Sequence, residues 1–192
     1  MDISEKSLII ECSKNLEFLR SSIDLSDGVI KLCEKEGFNF SLEKLNQLMY
    51  FNSLITIAKL DIAISSKFLK KSSEKWEIIH FIKNSYLTIY ESLEKLKTHK
   101  KLLHELTSVK DANKEFYKNL DIETKEFMKK YEFDTKINLI RNKTVGHIDK
   151  DFKLYYDELN KLKKSETIDM IDAFIKLNLK YLELCSDLIN PN

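Results

Sequence analysis

The chain has 192 residues, of which 43% are hydrophobic and 33% charged, and its net charge is +1. It is long enough to bury one sizeable core. Its near-neutral balance excludes a generally basic nucleic-acid binder but leaves room for a local basic cleft. Three glycines and one proline, at position 191, are too few to punctuate the turns of a strand-rich fold, so the composition predicts an all-α helical bundle.

In chain order, residues 3–21 predict a first helix with Leu8, Ile9, Cys12, Leu16 and Leu19 near one face. "DLSDG" at 24–28 reads as a turn with Ser26 or Asp27 as the cap of a short helix that runs to about 36, where Gly37 is the stop. These N-terminal helices, about 1–37, read as an extension of the bundle. Ser41, Glu43 and Lys44 open a long helix over 41–71, with Leu45, Leu48, Met49, Leu54, Ile55, Ala58, Ile62 and Phe68 as its apolar positions. "KKSSE" breaks it. Ser73 is then expected to cap a second long helix over 74–106, whose apolar face carries Trp76, Ile79, Ile82, Leu87, Tyr90, Leu93 and Leu96. The two would form a long antiparallel hairpin at the centre of the fold.

Residues 107–132 are more polar and less regular, and Asp121 reads as the cap of a short helix over 122–131. A further helix runs from Asp134, a good N-cap, to Val145. A shorter one over 150–162 and a last one over 166–189 follow. There is no internal repeat, low-complexity linker or compositional boundary, so residues 1–192 are expected to form a single domain.

Cys12, Cys33 and Cys185 show no CxxC or other metal spacing and read as incidental or buried thiols of a reducing cytosol. "MDISEKSLII" lacks a basic region ahead of an apolar one, so no signal peptide is expected. "LITIAKLDIAI" (54–64) is too short for a span and carries Lys59 and Asp61, so it reads as a core helix of a cytoplasmic protein that does not enter the membrane. The sequence contains no glycine-rich phosphate loop, no HExxH, no serine nucleophile elbow and no acidic cluster that specifies a two-metal site. Neither a metal nor a cofactor is expected.

The informative stretch is "LIRNKTVGHID" at 139–149. Of 32 basic side chains only two, Arg20 and Arg141, are arginine. Arg141 is followed by Asn142 and, six positions on, by His147. Six steps rotate about 240° around a straight helix, so the two would not share a face. Gly146 permits a left-handed helix end that could bring His147 back. Arginine supplies a permanent charge and a planar fork that matches phosphate oxygens. Histidine exchanges a proton near neutral pH, and an asparagine amide can orient either neighbour. Together they suit phosphodiester cleavage without a metal, with the 2′-hydroxyl of RNA as internal nucleophile. Arg141, Asn142 and His147 are the candidate catalytic residues. Lys143 and Lys150 are candidate contacts to the RNA backbone, and Asp61 and Glu91 are candidate carboxylates that orient Arg141 or His147. "EKLKTHKKLLH" (94–104) reads as a solvated helix end or as a basic edge, and its two histidines do not share a helical face.

The motif resembles that of the HEPN family (higher eukaryote and prokaryote nucleotide-binding domains), in which an arginine and a polar residue, often asparagine, precede a histidine on a late helix of a bundle. The resemblance implies a homodimer in which two motifs meet, and a metal-independent endoribonuclease of antiphage defence or of a toxin–antitoxin pair. RNA would be the substrate, and an antitoxin or regulatory protein a further partner. One departure stands out: where members paired with a nucleotidyltransferase antitoxin carry a modifiable tyrosine two residues after the histidine, this chain has Asp149. The alternative reading is a non-catalytic helical module that binds RNA, a nucleotide or a protein partner through the same cleft.

Overall fold

The computed structural model describes residues 5–35, 42–142 and 152–189, and every regular element among them is helical, with no strand. The protein is an all-α bundle. Helix α1 spans Glu5–Lys35, α2 Leu42–Lys71, α3 Lys75–Thr107 and α4 Asp111–Lys130. A π turn at Phe133–Ile137 leads into the short α5, Asn138–Ile140, and α6 (Phe152–Asn160) and α7 (Lys164–Ile189) complete the order.

Helix α2 is the shared element, with α1, α3 and α7 all packed against it. Each neighbour runs antiparallel to it, as the residue pairs show. Glu11 meets Lys59 and Asp27 meets Asn46 from α1; Phe81 stacks on Phe68 and Glu105 pairs with Lys44 from α3; Asn178 reaches the Ile55 carbonyl from α7. Phe51, Ile55, Ile62 and Leu69 of α2 are therefore buried with Ile82, Ile89 and Leu93 of α3 and with Phe174 and Leu184 of α7. Burying a side chain of that size stabilises by about 1.5–3 kcal/mol. The α2–α3 turn is closed by the Ser72 hydroxyl on the Phe68 carbonyl (2.9 Å) and by Lys164 Nζ, which donates to the carbonyls of Lys70 (3.2 Å) and Ser72 (2.8 Å). A cation there answers the carbonyls that the end of α2 leaves unpaired.

Several local expectations yield to tertiary contacts. "DLSDG" is no turn: α1 runs through it, because Ser26 is buried and the Asp27 carboxylate accepts from Asn46 Nδ2 (2.6 Å) and the Tyr50 hydroxyl (3.3 Å) of α2. Glu74, not Ser73, is the N-cap of α3, and it makes no side-chain capping bond. Asp121 starts no helix. It lies inside the continuous α4, held by Lys100 of α3 (2.8 Å) and Lys125 (2.7 Å). Burial alone would push its carboxyl up, but the two ammonium groups together hold it below the usual range. Asp134 does not cap a helix but sits within the π turn. Leu54, Phe68 and Trp76, expected on buried faces, are exposed.

The start of that π turn is set by Glu132, whose φ of 52° is left-handed. A residue with a Cβ pays about 1–2 kcal/mol for that conformation. Its carbonyl accepts from the amides of Thr135, Lys136 and Ile137, the shortest of these bonds being 2.7 Å to Lys136, so the chain leaves α4 in a wide turn. Phe133 and Ile137 drop into the core and fix where α5 begins.

Gly28 offers a direct check of the first helix. An added Cβ would meet nothing within 4 Å. In a continuous helix Gly28→Ala should raise stability by about 0.5–1 kcal/mol. Urea unfolding measures it. A loss of stability would mean that the chain turns there instead.

Candidate functional site

Arg141 directly follows α5, and the chain is still helical there, with φ −55° and ψ −49°. Ile137 and Ile140 are buried and anchor the segment, which leaves Arg141 half-buried beside the outward side of α3. Its Nη2 pairs with Glu91 Oε1 at 3.3 Å, and its Nη1 donates to Asn142 Oδ1 at 3.0 Å. The guanidinium carbon lies 5.2 Å from the centre of the Tyr90 ring. Tyr90 is stacked on Phe133, centroids 5.4 Å apart and planes 6° from parallel, and Lys97 Nζ covers Phe133 at 4.4 Å. A cation, two rings and a second cation thus form one column between α3 and the π turn. Ring faces are electronegative, so a cation on each outer face is favourable. Asn142 in turn donates to Asn138 Oδ1 at 2.7 Å, which fixes its amide. Arg141 Nε is buried and has no hydrogen-bond partner among the described residues.

Glu91 has a second role. It also lines a groove of about 250 Å³ between α2 and α3, together with Leu54, Ile57, Asp61, Leu87 and Lys95. Asp61 lies in this groove and makes no ion pair with Arg141 among the described residues. Burial there pushes its carboxyl above the usual range, although the residue as a whole keeps solvent contact. Of the residues singled out from the sequence, Arg141, Asn142 and Glu91 come together, and Asp61 lines the same groove as Glu91. His147, Lys143 and Lys150, with Gly146, lie outside the described residues. Tyr90 and Phe133 were not identified as site residues from sequence. Tyr90 carries the periodicity of an apolar helix face, and nothing in "FDTKI" marks a ring that will stack on it.

The lysine- and histidine-rich stretch 94–104 is largely committed to the fold. Lys97 pairs with Glu94 (2.6 Å), Lys100 with Asp121 (2.8 Å), and His99 packs on Phe51 with centroids 5.0 Å apart. Among the described residues no group of three or more histidine, cysteine or acidic side chains could hold a metal. Cys12 and Cys185 are free and buried. Burial pushes the Cys185 thiol up to about 12, far from a reactive thiolate.

Chemically, the arrangement offers a permanent cation whose position is set by an aromatic ring, a carboxylate and an amide. An anion reaching it would compete with Glu91 for Nη2. No family model, no curated protein and no solved structure matches this chain.

Two outcomes are expected from the groove. The Arg141 and Glu91 side chains are 37% and 46% exposed, so solvent screens the pair, and Glu91→Gln should cost no more than about 1 kcal/mol in urea unfolding. Asp61 titrates with the opposite sign from a paired carboxylate. Its folded pKa is raised, so its contribution to stability is fullest below the unfolded carboxylate range and declines as pH rises through the folded value. Asp61→Asn should therefore stabilise the protein at neutral pH, with a gain that disappears as pH falls to about 4. A difference that does not change with pH would refute the burial of that carboxyl.

Proposed function

We propose that the protein is a metal-independent endoribonuclease of the HEPN type, acting in the cytoplasm as an antiphage or toxin–antitoxin effector. The observation that carries this reading is the fixing of Arg141, one of only two arginines, by Glu91, Asn142 and Tyr90, Glu91 also lining the α2–α3 groove. In this reading the 2′-oxygen of the RNA attacks the adjacent phosphorus, and the bond to the 5′-oxygen of the next nucleotide breaks. His147 takes the proton from the 2′-hydroxyl or gives one to the departing 5′-oxygen. Arg141 balances the charge that builds on the non-bridging phosphate oxygens, and Asn142 orients it. Glu91 holds the guanidinium until phosphate replaces it. Lys143 and Lys150 contact the backbone. The products are a 2′,3′-cyclic phosphate and a free 5′-hydroxyl. A homodimer would set two such motifs against each other, and an antitoxin or regulatory protein would restrain them.

A second reading is supported by the same contacts. Both Nη atoms of Arg141 already have protein partners, and the Asn142 amide is used on Asn138. A clamp of this kind suits a helical module that binds RNA, a nucleotide or a protein without cleaving anything.

Cleavage of end-labelled total RNA in excess EDTA separates the two. The wild type should give discrete fragments ending in 2′,3′-cyclic phosphate, and His147→Ala should slow their formation by about 10²–10⁴. Full activity in His147→Ala would remove the histidine from the mechanism. Tight RNA binding with no product from folded wild type would leave the binding module.

A further inference from the structure

The end of the α2–α3 hairpin carries a feature that the nuclease motif does not use. Trp76, the only tryptophan of the chain, is 55% exposed, and Phe68 is 44% exposed. Both rings are seated on other rings. Trp76 lies 6.0 Å from Tyr156 of α6, and Phe68 stacks on Phe81 at 5.4 Å with planes 13° apart. His80, exposed and one turn beyond Trp76 on α3, meets Phe81 edge-on at 5.2 Å. The rings thus line the hairpin end as an aromatic band of two groups, Trp76 with Tyr156 and Phe68 with Phe81 and His80.

Lysines are interleaved with this band. Lys67 Nζ lies 5.6 Å over Phe68, and Lys75 Nζ 5.2 Å over Tyr156. Lys71 is exposed between them, and Lys164 is drawn in by the carbonyls of Lys70 and Ser72. In the stretch 67–77 the lysines outnumber the two glutamates, Glu74 and Glu77, in a chain whose overall charge is nearly balanced.

We propose that this band is a binding platform for single-stranded RNA, with bases stacked on Trp76 and Phe68 and phosphates held by Lys67, Lys71 and Lys75. Exposed rings alternating with lysines suit a flexible strand that presents bases and phosphates in turn. A duplex keeps its bases stacked inside and offers no faces to these rings. A membrane surface would favour a continuous apolar face free to insert, whereas these rings rest on neighbours and are bordered by charge. The proposal rests on the RNA reading given above and adds where the strand is held. Trp76 and Glu91 are fifteen residues apart on α3, about 22 Å, a span that a strand of several nucleotides covers.

Trp76 is its own reporter. The probe is a 2′-O-methylated oligouridine of about ten nucleotides, which lacks the nucleophilic hydroxyl and survives any ribonuclease activity. Titrated into the full chain, it should quench tryptophan emission saturably, with an affinity that falls steeply as salt rises. The exposed pair Lys71→Glu with Lys75→Glu should weaken binding by about tenfold or more, whereas Lys114→Glu with Lys118→Glu on α4 should leave it unchanged. Binding that leaves Trp76 emission unaltered, equal losses from both charge reversals, or no saturable binding would overturn the platform. So would a response to phosphatidylserine vesicles in place of the oligonucleotide, which would assign the band to a lipid surface. Cleavage of unmodified RNA is scored separately. A Trp76 response without cleavage removes the nuclease and keeps the platform, and cleavage without a Trp76 response does the reverse.

Discussion

Enclosure of α2 is the constraint on which the other elements depend. Three helices pack around it, so much of its circumference must be apolar, and the polar groups buried there call for partners within the protein. Several find them locally or across one interface, whereas Asn52 Oδ1 is buried without a hydrogen-bond partner among the described residues. The Thr56 hydroxyl donates to the Asn52 carbonyl at 2.8 Å, and Lys59, only 3% exposed, extends its ammonium group to Glu11 of α1 at 3.2 Å. An unpaired ammonium group at that depth would cost several kcal/mol. The Lys59–Glu11 contact therefore joins the small apolar cluster of Leu8, Cys12 and Ala63 in holding α1 to the bundle.

With α2 enclosed, α3 becomes the helix that faces both ways. Its inner positions, Ile82, Ile89 and Leu93, fill the core against α2 and α7. Its outer positions carry Tyr90 and Glu91, which hold Arg141, and one end carries Trp76 and His80. Helical geometry sets the distance between those two regions, because a rigid rod of known rise joins them. The contact to Arg141 also needs the chain to return from α4 at the right height. The left-handed Glu132 and the π turn supply that return by dropping Phe133 onto Tyr90. Local strain at Glu132 is offset by the burial of Phe133 and Ile137.

Much of the architecture was legible before any coordinates. The long apolar-periodic stretches over 41–71 and 74–106 fall within a residue or so of α2 and α3, and 166–189 lies within α7, because helices of that length average out local irregularities. The errors share one cause. "DLSDG", Ser73, Asp121 and Asp134 are each good turn or cap residues judged alone. In the protein, Asp27 and Asp121 are instead drawn to partners on other helices, namely Asn46, Tyr50, Lys100 and Lys125. Trp76 was misjudged in the other direction. Its periodicity matches the buried face, but it lies at the first turn of α3, beyond the core, with Tyr156 of α6 beside it.

Sequence by itself determined the fold class, the central helical hairpin and the rarity of arginine that draws attention to position 141. These follow from composition and from periodicity along single segments, which are local properties of the chain. It also put Glu91 forward as a carboxylate that could orient Arg141, but as one of two. Only the tertiary structure decided that Glu91 rather than Asp61 meets the guanidinium, that Tyr90 and Phe133 support it, and that Trp76 meets Tyr156 while Phe68 and His80 meet Phe81. Those pairings join residues up to eighty positions apart. They depend on the register of one helix against another, and that register is set by the whole core packing at once.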